Sequence, residues 1–234
     1  MKQVVDLHWA FWLVLPVVFF GMLWGFAALD PEGYRAFFEG KSATFELLVA
    51  LIPIISAGLA FGMLRFPVVY TDKRLVAWLL LLLIIPLLLA AEDLGWGRDI
   101  LDIGFPDWWP GAADEGTIIV VPQTAAGLDK EAVRALLQAA AVGIGFLFPI
   151  LSWILPPSTG QVTFFRLIWP TFVCIPVLLC SVLSRLPREV AEAKLNIPEI
   201  EQISHSEVGE MFIYFFLLYY CASLFWRLKQ IQQG

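Results

Sequence analysis

The chain has 234 residues, of which 59% are hydrophobic and 15% charged, and a formal net charge of −6. Soluble domains carry roughly 25% charged residues, so depletion on this scale means that much of the surface faces something other than water. The acidic balance, without any cluster of Lys and Arg, excludes nucleic acid as a partner, because phosphate backbones are bound by basic residues gathered on one face.

A membrane-spanning helix needs about 20 apolar residues, and six stretches approach that length. The first, 8–29, contains no charged residue. Its apolar core exceeds the roughly 7–15 residues of a signal peptide, so a retained helix is expected. The second and third cover 45–64 and 75–91, the latter ending at Glu92 and Asp93. The fourth opens at Asp129, a good N-cap residue, and runs to 155, where Pro156 and Pro157 stop it. The fifth covers 162–183 and the sixth 208–226. The expected fold class is therefore all-α: a polytopic transmembrane bundle of six spans, one integral membrane domain over 1–234, with one long interfacial loop over 92–128. In that loop Trp108 and Trp109 fit an interfacial aromatic belt. Thr117 to Val121 is too short to span and reads as extended or re-entrant.

Two features point to a packed bundle. Gly21 and Gly25, and Gly58 and Gly62, form G-x-x-x-G pairs, which let helix backbones approach closely in lipid. Prolines fall inside the first five spans: Pro16, Pro53, Pro86, Pro149 and either Pro170 or Pro176. Each removes one backbone hydrogen bond, and the freed carbonyl must be satisfied within protein or by water. Cys174, Cys180 and Cys221 lie in apolar runs without metal-ligand spacing, as small buried residues do. Six spans put both termini on one side, with Lys2, Arg65, Lys73, Arg74, Arg227 and Lys229. The positive-inside rule barely discriminates between the faces, and the acidic 92–128 loop favours cytoplasmic termini. A bacterial inner membrane is the expected location.

Three polar constellations are candidates for chemistry. After the third span comes Glu92-Asp93-Leu94-Gly95-Trp96-Gly97-Arg98-Asp99. Arg98 can grip a carboxylate or phosphate through two parallel hydrogen bonds, and Trp96 adds a large ring with one donor. The same residues also suit a plain helix end at the headgroup level, so a polar pocket and an interfacial anchor both stay open. The sixth span opens with Ser204-His205-Ser206-Glu207-Val208-Gly209-Glu210. Ser204 and Glu207 have the spacing of a capping box, a sufficient structural role for Glu207. Glu210 lies one turn deeper, on the face it shares with Glu207 and Tyr214, and intramembrane carboxylates tend to be paired or functional. Lys130, Arg134 and Gln138 form a third stripe. Arg134 falls near the same membrane face as Glu92 and Glu210 and is a natural counter-charge, whereas Arg166 lies towards the opposite face and suits snorkelling. The expected ligand-binding cluster thus draws on Glu92, Asp93, Trp96, Arg98, Asp99, Arg134, His205, Glu207 and Glu210.

The run from Glu92 to Pro106 resembles a motif of an uncharacterised family of bacterial polytopic membrane proteins, roughly E-E-x-S-W-G-Q-R followed by a G-x-x-x-P-like stretch. Gly95 stands where that pattern has serine, Arg98 where it has glutamine and Asp99 where it has arginine. The family also tends to open a late helix with E-x-x-E, matched by Glu207 and Glu210. Where that family has a downstream polar segment with Asn and His, the corresponding Val121-Pro122-Gln123-Thr124 has no His. The resemblance implies a polytopic layout and no particular activity.

Only two histidines, His8 and His205, occur, too few for an ordinary zinc site, and no metal or cofactor is expected. Either histidine could act alone as an axial ligand of a haem or chlorophyll, without support from its surroundings. Hydrolase, zincin and P-loop motifs are absent. Three classes remain: a non-enzymatic membrane module or accessory subunit of a membrane complex, partnered by lipid and other membrane subunits; a carrier or channel for a small polar or lipid-like ligand at Glu92, Arg98 and Glu210; and a membrane-embedded lipid-modifying enzyme with an acidic general base.

Overall fold

The computed structural model of the chain describes residues 6–38, 43–93, 139, 142–151, 154, 164–192 and 206–233. Among them every regular element is helical. The 94–128 part of the long loop, with Trp108, Trp109 and Thr117 to Val121, lies outside the described residues, as do both ends of the fourth span.

The N-terminal apolar run begins with one π-helical turn, Ala10–Val14, and continues as α1, Leu15–Leu29. Pro16 lacks the amide that would close a regular turn here, and its ring crowds the carbonyl four residues back. The widened turn leaves the Phe11 carbonyl to accept from Tyr219 Oη at 2.7 Å. Asp30 ends α1, and its Oδ1 accepts from the Gly33 amide at 2.9 Å. It thereby caps α2, Pro31–Phe38, which opens on proline as helix starts favour. Tyr34 and Phe38 of α2 pack on Phe26 and Phe45, tying α1 to α3, Ala43–Met63. A short 3₁₀ turn, Pro67–Thr71, reverses the chain into α4, Lys73–Asp93. Then follow α5, Val142–Leu151, α6, Phe164–Ile168, α7, Ile175–Glu192, and α8, Ser206–Gln233.

Among the described residues three stretches, Ala10–Leu29, Lys73–Ala91 and Val208–Gln233, are long and apolar enough to cross a membrane; at 1.5 Å per residue even 20 residues reach about 30 Å. Their burial separates them. Of the most apolar window, 56% is buried for Val208–Gln233, against 28% for Lys73–Ala91 and 17% for Ala10–Leu29. α8 is therefore the axis of the bundle, packed against α3 and α7. The outer helices turn Phe11, Val17, Val18 and Met22 of the first run, Leu47, Leu51 and Ile55 of α3, and Leu81, Ile84 and Leu88 of α4 outwards. Helices that are apolar on the outward side as well as the inward one suit lipid rather than water.

Two apolar clusters flank α8. One gathers Leu23, Tyr34, Phe38, Phe45, Val177, Met211 and Phe212, with Leu89 packed against it. The other gathers Met63, Val69, Leu75, Leu79, Cys174, Cys221, Leu224 and Leu228. All three cysteines are buried and unpaired, in keeping with their place in apolar runs. Pro53, Pro86 and Pro149 are fully buried, away from lipid, where an interrupted helix backbone would be costly.

The tight approaches differ from those that the glycine pairs suggest. Among the described residues, a Cβ added to Gly21, Gly25 or Gly58 meets nothing within 4 Å, and one on Gly62 only touches Phe225. The close contact is instead at Gly145 of α5, where a Cβ would strike Leu178 of α7 and Phe216 of α8.

Candidate functional site

The fifth apolar stretch is broken. α6 ends at Ile168, Trp169 and Pro170 lie outside any helix, and Thr171 is extended with φ −102° and ψ 176°. Proline has no amide to donate and disfavours helical backbone in the residue before it, so Pro170 accounts for the interruption. Pro176 falls in the first turn of α7, where a missing amide does no harm. A break inside a membrane protein leaves carbonyls that lipid cannot satisfy, and α8 supplies their partners.

Tyr220, Ser223 and Arg227 lie on one face of α8, three and four residues apart. Tyr220 Oη donates to the Ile168 carbonyl and accepts from Trp78 Nε1 of α4 at 2.8 Å. Arg227 Nη1 donates to the Trp169 carbonyl at 3.3 Å, and its Nε to the Ser223 carbonyl at 3.3 Å. Ser223 Oγ donates to Asp6 Oδ1 at 2.7 Å and lies 3.3 Å from Thr171 Oγ1. The Asp6 carboxylate also accepts from the Leu7 amide at 2.9 Å. Five segments thus meet at one end of the bundle: the start of the chain, α4, the 169–171 break, α7 through its 3₁₀ entry Phe172–Cys174, and α8.

Arg227 is only 7% exposed, yet among the described residues its Nη2 has no hydrogen-bond partner. Asp6 acts on it electrostatically while remaining bonded to Ser223. The rim of this end is basic: Arg65, Lys73, Arg74 and Lys229 join Arg227, against Asp6 and Asp72. Arg65 and Lys229 lie over the Phe61 and Trp226 rings, 5.0 and 5.7 Å from their centroids. His8 is exposed, and its Nδ1 accepts from the Ala10 amide at 3.3 Å, a local capping role.

Glu210 is half-buried near the opposite end of α8, 17 residues or about 25 Å of helix from Arg227. Next to it Ser181 Oγ of α7 donates to the Gly209 carbonyl at 2.9 Å. The backbone of Glu92 and Asp93 forms the last turn of α4. Trp78, in the second turn of α4, bonds Tyr220, while Leu89, in its last turns, packs against the cluster that holds Met211 and Phe212, so α4 runs antiparallel to α8 and ends at the Glu210 end. The side chains of Glu92, Asp93 and Glu207, and all of Trp96, Arg98, Asp99, Arg134 and His205, lie outside the described residues. Among the described residues no three His, Cys, Asp or Glu side chains group as metal ligands.

Asp6, Thr171, Tyr220, Ser223 and Arg227 do not figure in the sequence reading as a site; it counts Arg227 among the flanking charges and ends the sixth span at Trp226. The available signal was the Tyr-x-x-Ser-x-x-x-Arg spacing, which puts three polar side chains on one face of the helix. No family model matches the chain, and no curated protein or solved structure is detectably similar to it.

Proposed function

We propose that the chain is a six-span integral membrane module of a bacterial inner membrane, and that it serves as a non-enzymatic accessory subunit of a membrane complex. Six passes follow if α3, α5 with its flanks, and the broken α6–α7 segment cross together with the three longer helices. The observation that carries the role is the use made of buried polar groups. Tyr220, Arg227 and Ser181 all donate to backbone carbonyls of a neighbouring segment, a pattern that fastens helices to one another. The outward apolar faces of α1, α3 and α4 supply area for lipid and for neighbouring subunits.

A second reading, a carrier for a small polar or lipid-like ligand, draws on the 169–171 break, because transporters place interrupted helices at their binding sites. Nothing among the described residues favours a lipid-modifying enzyme over these two. The deciding experiment is extraction from the native membrane in mild detergent, with the associated proteins quantified after two successive purification steps. The accessory role predicts a second membrane protein at fixed stoichiometry. A bare chain that carries a solute across reconstituted vesicles contradicts it and supports the carrier.

A further inference from the structure

We propose that Arg227 anchors a binding site for one phosphate group at the end of the bundle where Asp6, the Pro67–Thr71 turn and the 169–171 break converge. The buried guanidinium has two of its nitrogens on neutral carbonyls, both at 3.3 Å, longer than the 2.7–2.9 Å or so of a charge-assisted bond. Its third nitrogen, Nη2, is buried and unpartnered among the described residues. A charged donor left in this state in a low-dielectric interior calls for an anion.

The surroundings select phosphate. A planar guanidinium edge matches the oxygens of a phosphate, and the Thr171 and Ser223 hydroxyls stand beside each other as further donors. The basic rim of Arg65, Lys73, Arg74 and Lys229 draws anions to this end of an otherwise acidic chain.

Asp6 holds the site closed. It is half-buried, precedes the first helical turn, and occupies the Ser223 hydroxyl next to the buried cation. An arriving phosphate repels the Asp6 carboxylate, takes over the Ser223 hydroxyl and gains Nη2, which becomes accessible as Asp6 leaves. The phosphate can come from a phospholipid headgroup of the adjoining leaflet or from solution.

The test uses the full chain in mild detergent, with native mass spectrometry after addition of phosphatidylglycerol or of a galactosyl diglyceride that lacks phosphate. Inorganic phosphate is titrated separately and followed by thermal unfolding. Expected is one phosphatidylglycerol per chain and no galactolipid. Arg227→Gln should weaken retention by about tenfold or more, the loss of one charge-assisted pair, and Asp6→Asn should strengthen it several-fold. The same responses to inorganic phosphate, without lipid retention, support the site with free phosphate as its ligand. Equal binding by the unaltered chain and Arg227→Gln, or no phosphate-dependent binding at all, overturns the proposal. If Arg227→Gln fails to fold, Asp6→Asn decides, and binding no tighter than that of the unaltered chain overturns it.

Discussion

The Tyr220 hydroxyl accepts from the Trp78 indole and donates to the Ile168 carbonyl, so one atom joins α4, α6 and α8. Tyr220→Phe keeps the ring and its stacking on Phe216 but strands an indole N–H and a carbonyl away from water. A buried group left without its partner costs about 1–3 kcal/mol. The thermal midpoint of the detergent-solubilised protein should fall clearly in Tyr220→Phe, while Tyr70→Phe, whose exposed hydroxyl donates to the Leu64 carbonyl, should change it little. Ser223 and Arg227 extend the same polar face, and none of the three advertises itself in sequence. Arg227 follows Trp226 at the end of an apolar run, the usual position of an interfacial cation. What buries it is the bend at Pro170, which brings the Trp169 carbonyl within its reach. That is a tertiary fact that helical periodicity does not encode.

At the scale of elements, apolar run length made the helices legible and left their ends and breaks open. The run 75–91 corresponds to Lys73–Asp93 and the run 45–64 to Ala43–Met63, since backbone hydrogen bonding continues through charged residues that can reach water. The sixth helix extends past Trp226 to Gln233 because Arg227 is satisfied in part by carbonyls inside the bundle. The fifth run looks uninterrupted in hydropathy, and only the different positions of Pro170 and Pro176 relative to the helix start explain why the first breaks the chain and the second does not. Close packing is legible only in part for a related reason: a G-x-x-x-G pair gives a helix a groove without naming what fills it. Gly145, which belongs to no such pair, is the glycine under Leu178 and Phe216. Leu178 is fully buried and has little room to move, so Gly145→Val should destabilise the protein by about 1–3 kcal/mol, as overpacking does. Gly21→Val, whose Cβ meets no described atom within 4 Å, should unfold at nearly the unaltered temperature.

For the whole molecule, the described helices form a bundle organised around α8, with a polar fastening at the basic end and the Glu210 end roughly one helix length away. Of the candidate cluster read from sequence, Glu210 and the backbone of Glu92 and Asp93 lie at the end opposite to the cluster seen in the structure. The first was visible because acidic residues interrupt apolar runs. The second was hidden because it is assembled from the start of the chain, a helix break and the last helix, segments separated by more than 160 residues between Asp6 and Thr171. Six passes require that the termini share a side of the membrane. Single cysteines introduced for Lys2 and for Gln232, in a chain whose three native cysteines are replaced by alanine, should react with an impermeant maleimide from the same side of sealed vesicles; labelling from opposite sides excludes an even number of spans.

The polar face of α8 fastens the broken α6–α7 segment, and their shortest direct contact between two replaceable side chains is Thr171 to Ser223, 3.3 Å between hydroxyl oxygens. In the same alanine background, Thr171→Cys with Ser223→Cys should form an intramolecular disulfide under mild oxidation in native membranes, seen as a mobility shift that reductant reverses. Pairing Thr171→Cys with Phe215→Cys, two turns away on α8, should give none. Efficient cross-linking of the first pair alone is the predicted result; no cross-link there, or equal cross-linking of both pairs, contradicts it.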